Sequence, residues 1–227
     1  MKHVLFAGLA GLILAAPVAI AQNAPAPQWQ GMQKVHWERF DQAYLAPGVN
    51  FRSYTRVMID PADAAFRKDW QRDYNKVHFD LERRITDEDA QKILEEARSG
   101  LGDAFARIFR EAGYQVVTAP GPDVLRVKAS LADLDVHAPE VLRSAQTKTF
   151  AEEAGSARLV LEVRDSVRGA LLAGGTDKRD IGDLSFLERR SSISNRADFS
   201  RAFRRWAQFS VDALGKLGAR PAGSAGG

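Results

Sequence analysis

The residues able to do chemistry in this chain are scattered. Beyond the first few positions there are three histidines, His36, His78 and His137, each in a different segment and none paired at helical spacing with another metal-type ligand on the same helix. Zinc needs three or four converging ligands, so these are read as isolated surface histidines; His78-Phe79-Asp80 is only a weak metal pattern. Serine chemistry has no better footing, because there is no Gly-x-Ser-x-Gly elbow and Ser191, Ser192 and Ser194 lie in a polar connector. Gly174-Gly175-Thr176 lacks the lysine and helix start of a phosphate loop, and Gly100 and Gly102 fall inside a helical pattern. No cofactor or metal is expected.

Two groupings have more substance. Asp133 and Asp135 alternate along an extended segment and would face one side of a strand, a geometry suited to calcium or to acid–base work; beside an expected bulge they are read as solvated carboxylates. Arg126, Lys128, Arg158 and Arg164, with Lys178, occupy outward positions of alternating strands and form a candidate face for an anionic ligand. Glu162 and Asp180 alternate with them, so cross-strand ion pairing is the competing reading.

The elements that must position these residues are legible from periodicity. Tyr54 to Asp60 alternates, with Val57 and Ile59 on one face, and Pro61 ends it. Thr86 and Asp89 form a capping pattern, and Leu94, Ala97, Leu101, Phe105, Ile108 and Ala112 recur at helical steps until Gly113. Tyr114 to Thr118 reads as a short strand, and Pro120-Gly121-Pro122-Asp123 as the turn of a hairpin. The next strand carries Leu125, Val127, Ala129 and Leu131, then shifts phase to Leu134 and Val136, which predicts one extra residue near Ala132-Asp133.

After a polar stretch from His137 to Gly155, a second hairpin places Ala157, Leu159, Leu161, Val163, Leu171 and Ala173 inward around a turn at Asp165 to Gly169. A last helix, capped by Asn195 with Asp198, buries Phe199, Phe203, Trp206, Ser210, Ala213, Leu214 and Leu217 and ends at Gly218. Every strand alternates, which leaves each one a wet face. The expectation is an α+β fold of two layers, a mainly antiparallel sheet with helices packed on one face.

Met1-Lys2-His3, an apolar run from Val4 to Ala21 and the small-x-small exit Ala19-Ile20-Ala21 read as a signal peptide cleaved after Ala21. The expected organisation is a signal peptide over 1–21, a linker and packing arm over 22–50, a single domain over 51–218 and a flexible tail over 219–227. The chain has no cysteine, so the fold must rest on an ordinary hydrophobic core and no lipid can be attached at a cysteine after the signal. Lys and Arg number 32 against 29 Asp and Glu, a mixed balance that gives no nucleic-acid signal.

Several stretches resemble a family of bacterial exported proteins, mostly lipoproteins, known as domain of unknown function 3313. The resemblance is carried by Tyr54-Thr55-Arg56-Val57-Met58-Ile59-Asp60-Pro61, by Ala112-Gly113-Tyr114 leading into Gly121-Pro122-Asp123-Val124-Leu125-Arg126, by Arg164-Asp165-Ser166, and by Ala197-Asp198-Phe199 with Trp206 beyond. It implies a cell-envelope location and no established activity. The expectation is a periplasmic or secreted, non-catalytic binding or interaction module, with no membrane span after signal cleavage. Its partner would be an envelope protein or an anionic envelope polymer such as peptidoglycan. The alternative is a periplasmic hydrolase with a site assembled from scattered carboxylates.

Overall fold

A computed structural model of the chain describes residues 29–78, 84–137, 149–151, 154–182, 188–190 and 192–221. The chain divides into two units, Met1–Gln30 and Gly31–Gly227, and the fold described is that of the second. The expected signal peptide and the bulk of the polar stretch after His137 lie outside the described residues.

The fold is α+β. In chain order the elements are β1 (Gln33–Val35), β2 (Gln42–Leu45), a 3-10 turn (Phe51–Ser53), β3 (Arg56–Ile59), β4 (Asp63–Phe66), α1 (Trp70–Val77), α2 (Asp87–Glu111), β5 (Gln115–Val116), β6 (Val124–Val136), β7 (Thr149–Ala151), β8 (Gly155–Asp165), β9 (Leu171–Ile181), β10 (Glu188–Arg190) and α3 (Ser192–Lys216). Eight strands form one mixed sheet in the order β1-β2-β9-β8-β6-β3-β5, with β4 also paired to β6; β7 and β10 form a separate antiparallel pair.

The sheet is mixed, with its long ladders antiparallel as expected, and it gains parallel pairings because β3 reaches β6 by a long crossover through α1 and α2. A crossover of that length returns the chain in the same direction, so β3, β4 and β5 make parallel pairings while β6, β8, β9, β2 and β1 follow one another antiparallel. The hairpin expected at Pro120-Gly121-Pro122-Asp123 does not form. β5 and β6 lie on opposite sides of β3, both parallel to it, and the carbonyl of Asp123 accepts from the backbone N–H of Thr55 and of Arg56 at 3.0 and 3.2 Å. A two-residue β5 needs only a short return, and the Pro–Gly segment supplies that return instead of a reversal between paired strands.

Local sequence explains α2 well. Thr86 caps it by accepting from the Asp89 N–H at 3.2 Å while the Asp89 carboxylate takes the Thr86 N–H at 3.0 Å, and Asp87, Glu88 and Asp89 set negative charge at the positive helix end. Its buried residues run from Ala90 through Leu101 and Phe105 to Phe109, and Gly113 ends it in the left-handed region. α2 packs on β3 to β6, and α3 packs on α2, β8 and β9. α3 begins at Ser192, ahead of the expected cap at Asn195.

The long strands carry the core between them. Val127, Ala129, Leu131, Leu159, Leu161 and Val163 are all buried, each large side chain contributing about 2 kcal/mol by area removed from water. The register of β6 on β8 slips between Ala132 and Asp135, and Asp133 takes a positive φ of 52°, so the extra residue read from the phase shift is present. A second slip lies between Val163 and Arg164 on β8, opposite Ala173 and Leu171. It turns Leu172 inward instead of the expected Leu171, because an unpaired residue on β9 moves the pleat by one position.

The segment expected as an arm supplies β1 and β2, which extend the sheet beyond β9. Ala219, placed in the tail by composition, is buried, and its carbonyl accepts from the Tyr114 hydroxyl at 2.9 Å.

Candidate functional site: an arginine cleft between β9 and α3

The four basic residues of the outward strand positions each meet a carboxylate. Arg126 Nε donates to Asp60 at 2.7 and 2.8 Å, Lys128 Nζ lies 2.6 Å from Asp63, Arg158 Nε donates to Asp133 at 3.0 Å, and Arg164 pairs with Glu162 at 2.9 Å. Like charges nonetheless face each other across the strands, Arg126 opposite Arg164 and Arg158 opposite Lys178.

The structure does not gather Asp133 and Asp135 around a common ligand. The bulge sends each to its own arginine, Asp133 to Arg158 and Asp135 to Arg67, the latter at 2.6 Å. The histidines are equally apart: His36 is exposed, His78 stacks on Tyr74 with centroids 4.2 Å apart, and His137 Nε2 lies 4.0 Å from Asp135. Among the described residues no group of three or more metal-type side chains converges. Gly175 belongs to β9, where an added Cβ would come within 3.0 Å of the Gln42 carbonyl oxygen and 2.9 Å of the Phe40 ring.

Three of the stretches that carry the family resemblance meet at one end of the sheet, while Asp198 and Trp206 of the fourth lie at the cleft between β9 and α3. The Tyr54 hydroxyl donates to Asp165 at 2.7 Å, Asp165 also accepts the backbone N–H groups of Val167 and Arg168 at 3.0 and 2.6 Å, and Ser166 exchanges hydrogen bonds with the backbone of Gly121. Asp123 takes Thr55 Oγ1 and Arg56 Nε, each at 2.8 Å. The Arg56 guanidinium, then the Thr55 hydroxyl, hold the Asp123 carboxyl well below the usual carboxylate range. Burial, then Asp165, pushes the Tyr54 phenol up to about 12. These groups satisfy one another, so the cluster pins β3, the β8–β9 turn and the β6 entrance together.

A different region has unsatisfied charge. A cavity of about 620 Å³ lies between the end of β9 and α3, lined by Arg39, Arg179, Arg201 and Arg205, by Asp180 and Asp198, and by Trp206 and Phe209 with smaller neighbours. Successive residues of a strand point to opposite faces. Arg179 stands opposite buried Ala157 and alternates onto the face of Asp177, whereas Asp180 stands opposite Ser156 and alternates onto the face of Lys178. Asp180 nonetheless reaches the cavity from the end of β9 and sets a carboxylate in its lining.

Beneath the cavity, Asp177 is fully buried and its Oδ2 accepts from Trp206 Nε1 and from Arg179 Nε, both at 2.7 Å. Its Oδ1 has no hydrogen-bond partner. Burial raises the Asp177 carboxyl above the usual range, against the lowering effect of Arg179 and Trp206. Asp198 is buried and pairs with Arg201 one turn along α3. Thus Arg179 and Arg201 are each matched by a carboxylate. Arg39 and Arg205, both exposed, have none among the described residues. Arg39 takes a positive φ of 70° and its guanidinium lies 4.8 Å from the centre of the Phe209 ring, while Arg179 donates to its carbonyl at 3.1 Å.

The model of a family described as a protein of unknown function, DUF3313, matches residues 24–209. The chain belongs to this family. No functionally curated protein matches it. Among solved structures, this DUF3313 chain is similar to the PelC dodecamer from Paraburkholderia phytofirmans, with 10% identity, 71% of this chain and 94% of that chain covered, and a TM-score of 0.36. It is similar to a Xanthomonas campestris protein of the DUF330 family, with 10% identity, coverage of 74% and 90%, and a TM-score of 0.40. A candidate lipoprotein from Caulobacter crescentus gives 16% identity, coverage of 72% and 93%, and a TM-score of 0.31.

Sequence reasoning did not find the cleft. Arg201 and Arg205 lie on the polar flank of the last amphipathic helix, where arginine is ordinarily a solvated charge. Arg39 sits in a segment without periodicity. The only sequence signal was the recurrence of arginine beside the Trp206 stripe, Arg201, Arg204 and Arg205, and it does not tell which other element faces that side.

Proposed function

We propose that this DUF3313 protein is an exported, non-catalytic binding module of the cell envelope whose ligand is anionic. Export is supported by the basic start, apolar run and Ala19-Ile20-Ala21 exit of the sequence. Among the described residues no helix is long and apolar enough to cross a membrane. The observation that carries the binding reading is the pair of guanidiniums, Arg39 and Arg205, that among the described residues make no ion pair, at the rim of a cavity with an aromatic floor and Asp180 as its one carboxylate outside an ion pair. Such a cavity attracts negative charge, and a guanidinium offers planar, forked donors to carboxylate or phosphate. For the hydrolase alternative, the cleft's buried carboxylates are already engaged, Asp177 by Trp206 and Arg179 and Asp198 by Arg201.

A second reading keeps the outer sheet face as the anion site. It is favoured by the like charges that face each other there, Arg126 opposite Arg164 and Arg158 opposite Lys178, which the ion pairs of Arg126, Arg158 and Arg164 with Asp60, Asp133 and Glu162 offset.

Two measurements test the proposal. The protein recovered from the envelope of a bacterial host is expected to begin at Gln22 by mass spectrometry, and uncleaved protein in the membrane fraction would contradict export. The same protein is expected to be retained on anionic vesicles, peptidoglycan or lipopolysaccharide at low salt and released as salt rises, since exposed charges are screened beyond about 10 Å at 0.1 M. No retention on any of them at low salt would end the binding reading.

A further inference from the structure

Resting on that reading, we infer that the cleft between β9 and α3 takes an anionic amphiphile, a carboxylate or phosphate head carrying an apolar chain. The head group is specified by charge. Arg179 and Arg201 are already neutralised by Asp177 and Asp198, so Arg39 and Arg205, set against the single carboxylate of Asp180, leave the lining a net positive charge. Arg39 is not a loose surface side chain. Its backbone is held in the left-handed region, its carbonyl is fixed by Arg179, and its guanidinium rests over the Phe209 ring.

The chain is specified by the rest of the lining. Trp206 and Ile181 are buried, Ala202 and Phe209 are half-buried, and together they give the cavity an apolar floor next to the guanidiniums. A bare phosphate would satisfy the arginines but leave that floor wet. The volume of about 620 Å³ falls within the roughly 300–1,000 Å³ usual for sites of small organic ligands, far more than an inorganic anion fills. Trp206 also could not tilt to suit a different ligand, because its Nε1 is fixed on Asp177. Trp206 and Asp177 are therefore positioning residues, and Arg39 and Arg205 the contacts.

The test uses the mature protein with alkyl phosphates of increasing chain length, kept below their micelle concentration, inorganic phosphate, and dodecyl maltoside as an uncharged amphiphile. Alkyl phosphates are expected to bind saturably, with affinity rising about fourfold per added methylene until the floor is covered. Inorganic phosphate is expected not to compete, and the maltoside not to bind. Arg205→Ala and Arg39→Asn, the latter chosen because asparagine tolerates a positive φ, are each expected to weaken binding about tenfold, the loss of one charged contact. Their thermal unfolding should match the parent, since both side chains are exposed.

Phe209→Ala should flatten the chain-length dependence while leaving the salt dependence in place. Vesicles containing phosphatidylglycerol distinguish a membrane lipid from a free amphiphile as the source of the head group. Equal binding of inorganic phosphate and dodecyl phosphate would overturn the amphiphile and leave the anion reading standing. Unchanged affinity in Arg205→Ala and Arg39→Asn, with anions still bound, would overturn the cleft as the site. Absence of binding to any anion would overturn both.

Discussion

Trp206 Nε1 donates to Asp177 Oδ2 across 2.7 Å, tying the middle of α3 to the buried side of β9. The same carboxylate oxygen holds Arg179 at the rim of the cleft, so one buried charge fixes both the floor and part of the wall. A hydrogen bond to a charge in a fully buried position is stronger than a neutral one and costly to break on one side only.

Trp206→Ala is therefore expected to destabilise the protein by about 3–5 kcal/mol, through the lost aromatic volume and an undersatisfied carboxylate. Trp206→Phe, which keeps most of the volume, isolates the hydrogen bond at about 1–3 kcal/mol. Urea midpoints of the three proteins measure this, and an unchanged midpoint in Trp206→Ala would mean that α3 does not depend on its contact with β9.

The raised carboxyl of Asp177 also sets a pH dependence. A carboxyl whose folded pKa lies above its unfolded value favours folding most when protonated, so its contribution is complete below the ordinary carboxylate range and is lost as pH rises through the raised folded value. Asp177→Asn removes this contribution, so the stability difference between variant and parent should move in the variant's favour as pH rises across that window. Parallel stability profiles with no such divergence would contradict a raised carboxyl.

Tyr54 governs the alkaline limb. Its phenol is pushed up to about 12 by burial and Asp165, so its contribution is whole below the ordinary phenol value and is lost as pH rises towards the folded one. Two pKa units correspond to about 2.7 kcal/mol at most. Tyr54→Phe should lose about 1–2 kcal/mol at neutral pH with its hydrogen bond to Asp165 and show a shallower decline between pH of about 10 and 12. Equal alkaline slopes in the two proteins would remove Tyr54 as the cause.

Gly155 opens β8 with a φ of 153°, and an added Cβ would sit 2.0 Å from the Asp135 carbonyl oxygen. Backbone cannot yield as a flexible side chain can, so Gly155→Ala is expected to cost about 3 kcal/mol or more and to loosen the pairing at the Val136 end of β6. Thermal unfolding of the variant, with amide exchange of the β6–β8 ladder, reads both effects.

Replacing Arg126, Lys128, Arg158 and Arg164 together by glutamine tests the outer sheet face. Partly exposed ion pairs contribute about 0–1 kcal/mol each, so stability should fall modestly. If the cleft is the site, binding of anions should persist. Loss of binding with retained stability would transfer the site to the sheet face.

The sequence by itself determined what local chemistry controls. The capping pair Thr86 and Asp89 and the apolar steps to Phe105 and Ile108 specify α2 without reference to any other element. The phase shift from Leu131 to Leu134 specifies the bulge at Asp133 because a strand must keep its apolar residues on the core side. The alternation from Ala157 to Val163 specifies β8 in the same way.

Tertiary structure decided which elements become neighbours. β3 separates β5 from β6 because two short parallel pairings and the Asp123 carbonyl outcompete a hairpin, and the slip that buries Leu172 depends on the register of β9 against β8. The cleft is the extreme case. Arg39 and Arg205 are far apart in sequence, in segments whose patterns say only loop and solvated helix face. They share one cavity because β2 pairs with β9 and α3 crosses the end of β9, an outcome of long-range packing to which no local periodicity corresponds.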